Sequence, residues 1–243
     1  MNFAPVVDIN TNSKNPIIGN RSFGESKINV SDKGINFTKG LQSKNILATA
    51  KHFPGHGDTF KDSHLTLPTI SFDKKRIKEV ELYPFKKLIE NGLSSVMIAH
   101  LNVPSLEKEN MLPSTLSKNI VEDILIKDLD FEGLIITDAL EMKGVSEYSK
   151  KNVDLLAFLA GNDILLMSSD ISKGIKEIKK SYKKGKISEE RLSKSVKKIL
   201  KAKYKVGLYN YKPIETKNLH EDLNNTSVEN LINKSIENIP VLV

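Results

Sequence analysis

The sequence predicts an α/β fold in which parallel strands alternate with amphipathic helices. Short runs rich in valine, isoleucine and leucine recur along the chain. They alternate little in polarity, as expected of strands that are covered on both faces of a parallel sheet. Between them lie longer segments whose apolar residues recur at helical spacing. The predicted strands occupy residues 2–9, 46–53, 94–103, 133–140 and 162–167.

The helical segments follow these strands in chain order. In residues 72–92 the apolar stripe includes Ile77, Phe85 and Leu88, and Gly92 is placed to end the helix. Strand–helix alternation of this kind predicts βαβ units around a parallel sheet. Further helices are predicted in residues 114–130, 148–161, 172–185, 188–209 and 226–238.

Polar residues follow the predicted strands, at the ends where β/α barrels build their active sites. Only about five strand–helix units can be counted, whereas a closed barrel needs eight. We therefore expect residues 1–209 to form part of a (β/α)8 barrel whose first strands are absent, followed by a linker and the start of a C-terminal segment in residues 210–243. An open, doubly wound sheet is the alternative that needs no missing part. The polar residues in question are Asp8, His52, His100, Asp138 and Ser168.

Charge and composition narrow the classes of function. The formal net charge is +7, but the lysines crowd into residues 176–186 and 191–205, where they alternate with apolar residues at helical spacing. A solvated helix face explains this better than a nucleic-acid interface. No apolar run approaches the ~18–20 residues that cross a bilayer. The chain has no cysteine, which excludes disulfides and a cysteine nucleophile. The compartment stays open between cytoplasmic and exported, with the cytoplasm slightly favoured.

The most informative stretch is KHFPGHGDTFKDSH, residues 51–64, which carries three histidines. Histidine can donate and accept protons near neutral pH, and an aspartate can orient its ring. Asp62 and His64 are spaced to project to the same side of an extended segment, so they form a candidate acid/base pair. A zinc site on His52 and His56 is disfavoured because a proline and a glycine separate them and the motif's glutamate is absent. We expect no metal and no cofactor. A plain polar loop is the remaining alternative.

A second candidate is Asp138, which an apolar strand delivers to its carboxyl end within GLIITDALEMKGV, residues 133–145. An aspartate at such a junction can cap the next helix or act as a nucleophile, and the local sequence alone does not decide between them. The histidine-rich loop on the same predicted face favours the nucleophile.

These residues resemble the family 3 glycoside hydrolases, in particular the bacterial β-N-acetylglucosaminidases of cell-wall recycling. Residues 51–68 look like the signature of that branch, including the D-S-H of residues 62–64. Residues 135–145 look like its nucleophile segment, and residues 17–24 like its substrate-loop segment. The resemblance extends from residue 2 to about residue 209.

The resemblance implies a β/α barrel and a role for each matching residue. Asp138 matches the nucleophile that forms a covalent glycosyl-enzyme, His64 matches the general acid/base, and Asp62 matches the partner of that histidine. Residues expected to bind the sugar are Lys51, His52, Arg21 and, by position at the same mouth, His100.

The implied activity is retaining hydrolysis of terminal β-linked N-acetylglucosamine, from muropeptides or chitooligosaccharides. An imidazole in place of the second carboxylate repels an incoming anion less than a carboxylate does. Phosphorolysis is therefore an alternative to hydrolysis. An inactive, sugar-binding barrel fragment and a zinc hydrolase are further alternatives.

Overall fold

The computed structural model describes residues 1–60, 66–109, 111–148 and 152–238. The chain divides into two compact units, Met1–Gly207 and Leu208–Val243. The sheet in the first unit has three parallel strands in chain order, with Thr49 opposite Ser95 and Ser95 opposite Leu134. The strands are β1 (Thr49–Phe53), β2 (Ser95–Ile98) and β3 (Leu134–Thr137).

The first and last predicted strands lie beside this sheet through isolated parallel bridges. Val6 pairs with Lys51 at one edge, and Ile164 pairs with Ile136 at the other. Five chain segments thus lie side by side in chain order, without the reversal of order that defines a doubly wound sheet. The described residues form an α/β fold that corresponds to part of a barrel, and they do not include a closed eight-stranded one.

Helices lie in each of the predicted segments. The segment 72–92 is divided into α2, a π-helical turn (Ile77–Glu81) and α3, while the segment 114–130 contains a short 3-10 turn (Ser114–Leu116) and a π-helical stretch (Asn119–Asp128). The remaining 3-10 turns are Gly19–Arg21 and Leu208–Asn210. The α-helices are α1 (Lys27–Gln42), α2 (Lys74–Arg76), α3 (Tyr83–Glu90), α4 (Lys143–Ser146), α5 (Val153–Ala160), α6 (Ile171–Lys183), α7 (Glu189–Lys205), α8 (Leu219–Leu223) and α9 (Thr226–Glu237).

The sequence did not predict helix α1. Its apolar stripe is weak, and it contains Gly34 and Gly40, which disfavour helix on propensity alone. Gly34 is needed for packing: a Cβ there would lie 3.0 Å from Val7 Cγ1 and 3.2 Å from Leu88 Cδ1. Close packing against the first segment and against α3 therefore stabilises α1.

The core lies between the sheet and these helices. Phe53 of β1 and Phe85 of α3 are fully buried and meet edge to face, with ring centroids 5.1 Å apart. Truncating such a phenylalanine to alanine typically costs about 3–5 kcal/mol. Apolar packing thus holds β1 in place up to its carboxyl end. Among the described residues, none of the helices has the length and hydropathy needed to cross a membrane.

Helix α7 is held to the sheet through the buried carboxylate of Asp163. That carboxylate accepts hydrogen bonds from the backbone N–H of Ile135 at 3.0 Å and from the Ser195 hydroxyl at 2.5 Å, and it pairs with Lys198 at 3.2 Å. Lys198 also donates to the Gly133 carbonyl at 2.8 Å. Lys198, which was predicted to lie on a solvated helix face, is therefore partly buried and holds α7 against the sheet.

Candidate active site

Asp8, at the end of the first bridged segment, is fully buried and organises the residues that follow β1. Its Oδ1 accepts the backbone N–H groups of His52 at 3.1 Å and His56 at 2.7 Å, and its Oδ2 lies 2.7 Å from His52 Nδ1. Burial by itself raises the pKa of this carboxyl, but His52 and His56 lower it, and the net pKa lies below the ordinary value. Asp8 is thus an ionised anchor for both histidines.

The contacts of His52 define its tautomer. Nδ1 faces the Asp8 carboxylate and donates to it, whereas Nε2 lies 3.4 Å from Arg21 Nη2. Because a guanidinium group has only donors, Nε2 accepts that contact. This pattern of contacts corresponds to the tautomer with the proton on Nδ1. Arg21 and His52, two predicted sugar-binding residues, therefore lie in contact. Arg21 also donates to the Ile17 carbonyl at 3.1 Å.

Lys51 is half-buried on β1, where its ammonium group is influenced by the charges of Arg21, Asp8 and the candidate nucleophile Asp138. Burial is the largest cause that lowers the pKa of its ammonium group, and the positive charge of Arg21 lowers it further. The negative charges of Asp138 and Asp8 oppose this shift. Lys51 thus lies within electrostatic reach of both carboxylates and of Arg21.

Asp138 directly follows β3. Its backbone N–H donates to the Ile98 carbonyl at 2.9 Å, and its Oδ1 accepts the Ala139 N–H at 2.8 Å. No donor in the described part of the chain bonds to Oδ2, and the side chain is partly exposed. The helix-cap alternative does not describe this residue, because Met142 occupies the N-cap position of α4. One carboxylate oxygen is oriented by the Ala139 N–H, and the other has no donor among the described residues.

His100, after β2, lies inside the protein. Its exposed fraction is only 1%, with Nδ1 2.6 Å from Thr115 Oγ1 and Nε2 2.9 Å from the Ala139 carbonyl. Burial lowers the pKa of the imidazole, which the charge of Asp138 partly opposes. Both ring nitrogens are bonded to protein atoms, so these contacts link His100 to the segment after Asp138 and leave neither nitrogen open toward a sugar.

A polar network that the sequence did not reveal holds the loop after β1. Asn15 donates to the His56 carbonyl at 2.8 Å, and Asn12 donates to the Thr59 carbonyl at 2.9 Å. The Thr59 hydroxyl lies 2.8 Å from His56 Nδ1. At Gly57 the backbone passes so close to the first segment that a Cβ would lie 2.0 Å from a carbonyl oxygen. These contacts join segments distant in sequence, so no local signal marked the two asparagines.

The candidate acid/base pair, Asp62 and His64, lies outside the described residues, in the gap between Phe60 and Thr66. Their roles remain predictions from the sequence. Of the other predicted site residues, the structure brings Lys51, His52 and Arg21 together.

Comparisons with known proteins agree on one family. The model of the glycosyl hydrolase family 3 N-terminal domain matches residues 1–202. β-Hexosaminidase A of Pseudoalteromonas piscicida is 34% identical over 226 residues, which cover 85% of this chain and 38% of that protein.

Solved structures give the same result. The family 3 β-N-acetylglucosaminidase of Paenibacillus sp. str. FPU-7 superposes with a TM-score of 0.89 at 35% identity, covering 96% of this chain and 44% of that one. A β-glucoside phosphorylase superposes with a TM-score of 0.87 at 26% identity, covering 94% of this chain and 43% of the other. The chain thus spans less than half the length of these relatives.

Proposed function

Because this chain belongs to glycoside hydrolase family 3, we propose that it is a retaining β-N-acetylglucosaminidase. It would release terminal β-linked N-acetylglucosamine from muropeptides or chitooligosaccharides, through a covalent intermediate on Asp138. The resemblance to β-N-acetylglucosaminidases of cell-wall recycling supports this substrate class. No cofactor takes part.

The observation that carries the proposal is the state of the Asp138 carboxylate. One oxygen is held by the Ala139 N–H, no described donor bonds to the other, and Lys51 lies within electrostatic reach. A carboxylate nucleophile needs an oriented group with an oxygen that can reach the anomeric carbon. Lys51 and Arg21 would bind the sugar hydroxyls around it. His52 would do so through Nε2, by exchanging its long 3.4 Å contact with Arg21 for a sugar hydroxyl.

The reaction has two steps. In the first, Asp138 forms a bond to the anomeric carbon while the bond to the leaving oxygen breaks and His64 gives that oxygen a proton. In the second, water attacks the anomeric carbon, His64 takes a proton from the water, and the bond to Asp138 breaks. Asp62 would hold His64 in the required tautomer. The roles of Asp62 and His64 rest on the sequence pattern and on the family resemblance.

Phosphorolysis is the second candidate. The structural similarity to a β-glucoside phosphorylase supports it, because that protein shares the fold of this chain. An imidazole acid/base is neutral after it has protonated the leaving group, so phosphate could replace water in the second step. The product would then be a sugar 1-phosphate.

Turnover of an aryl β-N-acetylglucosaminide tests the proposal. We expect Asp138→Asn to lower kcat about a thousandfold or more, because no covalent intermediate can form. Asp128→Asn is the matched control, since Asp128 is an exposed partner of Lys78 and should keep full activity.

Proton NMR of the sugar as it is first released distinguishes a retaining from an inverting mechanism, because a β-anomer indicates retention. Wild-type turnover by Asp138→Asn would overturn the nucleophile assignment. Formation of sugar 1-phosphate in phosphate buffer would replace hydrolysis by phosphorolysis. A wild-type chain that binds N-acetylglucosamine without turning over substrate would instead be a sugar-binding fragment.

A further inference from the structure

His100 is a buried imidazole to which the two-step reaction gives no part. It lies between two segments: Thr115, in the 3-10 turn after β2, and Ala139, the residue after the candidate nucleophile. An exposed fraction of 1% and two bonded ring nitrogens argue against direct contact with a sugar.

The partners of His100 show which nitrogen carries a proton. Nε2 faces the Ala139 carbonyl, and a carbonyl oxygen only accepts, so Nε2 donates. Thr115 Oγ1 is within hydrogen-bond distance of both His100 Nδ1 (2.6 Å) and the Ala99 carbonyl (2.5 Å), and its single proton serves one of them. Nε2 carries a proton in either arrangement, because the Ala139 carbonyl requires it.

Ala139 is held at both of its polar groups. Its N–H donates to Asp138 Oδ1 at 2.8 Å, and its carbonyl accepts from His100 Nε2 at 2.9 Å. It lies in the turn between β3 and α4, where the Met142 N–H also donates to its carbonyl at 3.1 Å and the Leu140 N–H donates to the Leu166 carbonyl at 2.9 Å. His100 thus adds a side-chain donor to the backbone bonds that hold Ala139, and Ala139 in turn orients the Asp138 carboxylate.

We propose that His100 is a positioning residue for the Asp138 nucleophile. Through the Ala139 carbonyl, which also accepts the Met142 N–H, it holds the turn so that Oδ1 is bound and Oδ2 faces the anomeric carbon. This inference rests on the proposed function of Asp138. It replaces the expectation that His100 binds the sugar itself.

The test measures nucleophilic attack alone, with a fluorinated N-acetylglucosaminyl fluoride that labels the nucleophile of a retaining enzyme. Saturation kinetics separate the limiting labelling rate constant from the dissociation constant of the reagent. Three variants are compared. His100→Phe removes the donor and keeps a ring, while His100→Gln and His100→Asn are amides of different reach. The Gln amide nitrogen can occupy the place of Nε2, whereas that of Asn falls short.

We expect His100→Phe and His100→Asn to lower the limiting rate constant about ten- to a hundredfold, as a misplaced reacting group does. The dissociation constant should stay within about twofold, because binding groups are untouched. His100→Gln should recover most of the rate. If His100→Phe fails to fold, the comparison of Gln with Asn decides, since the two amides differ mainly in reach.

Other results overturn the inference. Equal labelling rates in Gln and Asn, or a weaker dissociation constant with an unchanged rate, would contradict positioning, and the second would indicate sugar binding. Failure of the proposed function gives a different result: the wild-type protein would not be labelled, or would be labelled at a residue other than Asp138, and both proposals would be withdrawn.

Discussion

Replacing Asp8 by asparagine tests how the buried carboxylate organises the site. The new side chain is nearly the same size, and its oxygen can still accept the backbone N–H groups of His52 and His56. Its amide nitrogen, however, then faces His52 Nδ1, where a carboxylate oxygen stood at 2.7 Å. An amide nitrogen only donates, so the imidazole must move its proton to Nε2. That nitrogen faces Arg21, which also only donates.

One of these contacts must therefore break. A buried hydrogen bond to a charged group is worth about 1.5–3 kcal/mol, and we expect Asp8→Asn to lower the free energy of unfolding by that amount. This is a large share of the roughly 5–15 kcal/mol by which a domain is stable. The fold should survive, because the two backbone N–H groups keep their acceptor.

Urea unfolding measures the stability, and nitrogen-15 NMR of the histidine rings reports the tautomer. We expect His52 to change from the Nδ1–H form in the wild type to the Nε2–H form in Asp8→Asn. Glu90→Gln is the control, because it removes an exposed ion pair with Lys87 and should leave the midpoint unchanged. An unchanged midpoint in Asp8→Asn, together with an unchanged tautomer, would refute this account of the anchor.

Three further predictions concern pH, backbone contact and charge. Burial lowers the pKa of His56 and His100, so at acidic pH the unfolded chain binds more protons than the folded protein. The free energy of unfolding should therefore fall as pH drops below about 6.5, by at most ~1.4 kcal/mol per pH unit for each histidine. Urea unfolding at several pH values measures this. Gly57→Ala should abolish cooperative unfolding, because its Cβ would overlap a carbonyl oxygen at 2.0 Å. Asp138→Asn should lower the pKa of Lys51 further in an NMR titration, because it removes a charge that raises it.

Each of these predictions has its own check. His100→Gln should flatten the loss of stability at acidic pH, and an equal slope in both proteins would exclude His100 as a cause. Gly40→Ala is the control for Gly57→Ala, because its Cβ meets no atom within 4 Å and lies in a helix that alanine favours. An unchanged Lys51 titration in Asp138→Asn would place the two residues outside electrostatic reach.

The sequence predicted the elements whose signal is local. Apolar runs located the three strands, and helical spacing located α2, α3, α5, α6, α7 and α9. It missed the short helices α4 and α8, and it missed α1, whose packing depends on residues remote in sequence such as Val7 and Leu88. The first and last runs proved shorter as strands than predicted and contribute only isolated bridges. At an open edge the backbone has one neighbour to pair with instead of two.

The site, like the fold, was predictable only where the signal is local in the sequence. Strand ends identified His52 and Asp138, because these residues lie at the ends of apolar runs, whereas Lys51 was identified through the family resemblance. The anchoring role of Asp8 depends on a contact across 44 residues of sequence, and the two asparagines of the loop network depend on similar distances. His100 was identified as a site residue, but the direction in which its ring points is set by Thr115 and Ala139.

The central claim is that Asp138 becomes covalently bonded to the sugar. Mass spectrometry of the protein after reaction with the fluorinated N-acetylglucosaminyl fluoride tests it most directly. We predict that the intact mass rises by one sugar residue and that fragmentation locates the added mass on Asp138, while Asp138→Asn stays unmodified. A label on any other residue, or an unmodified wild-type protein that still releases sugar, would contradict the account.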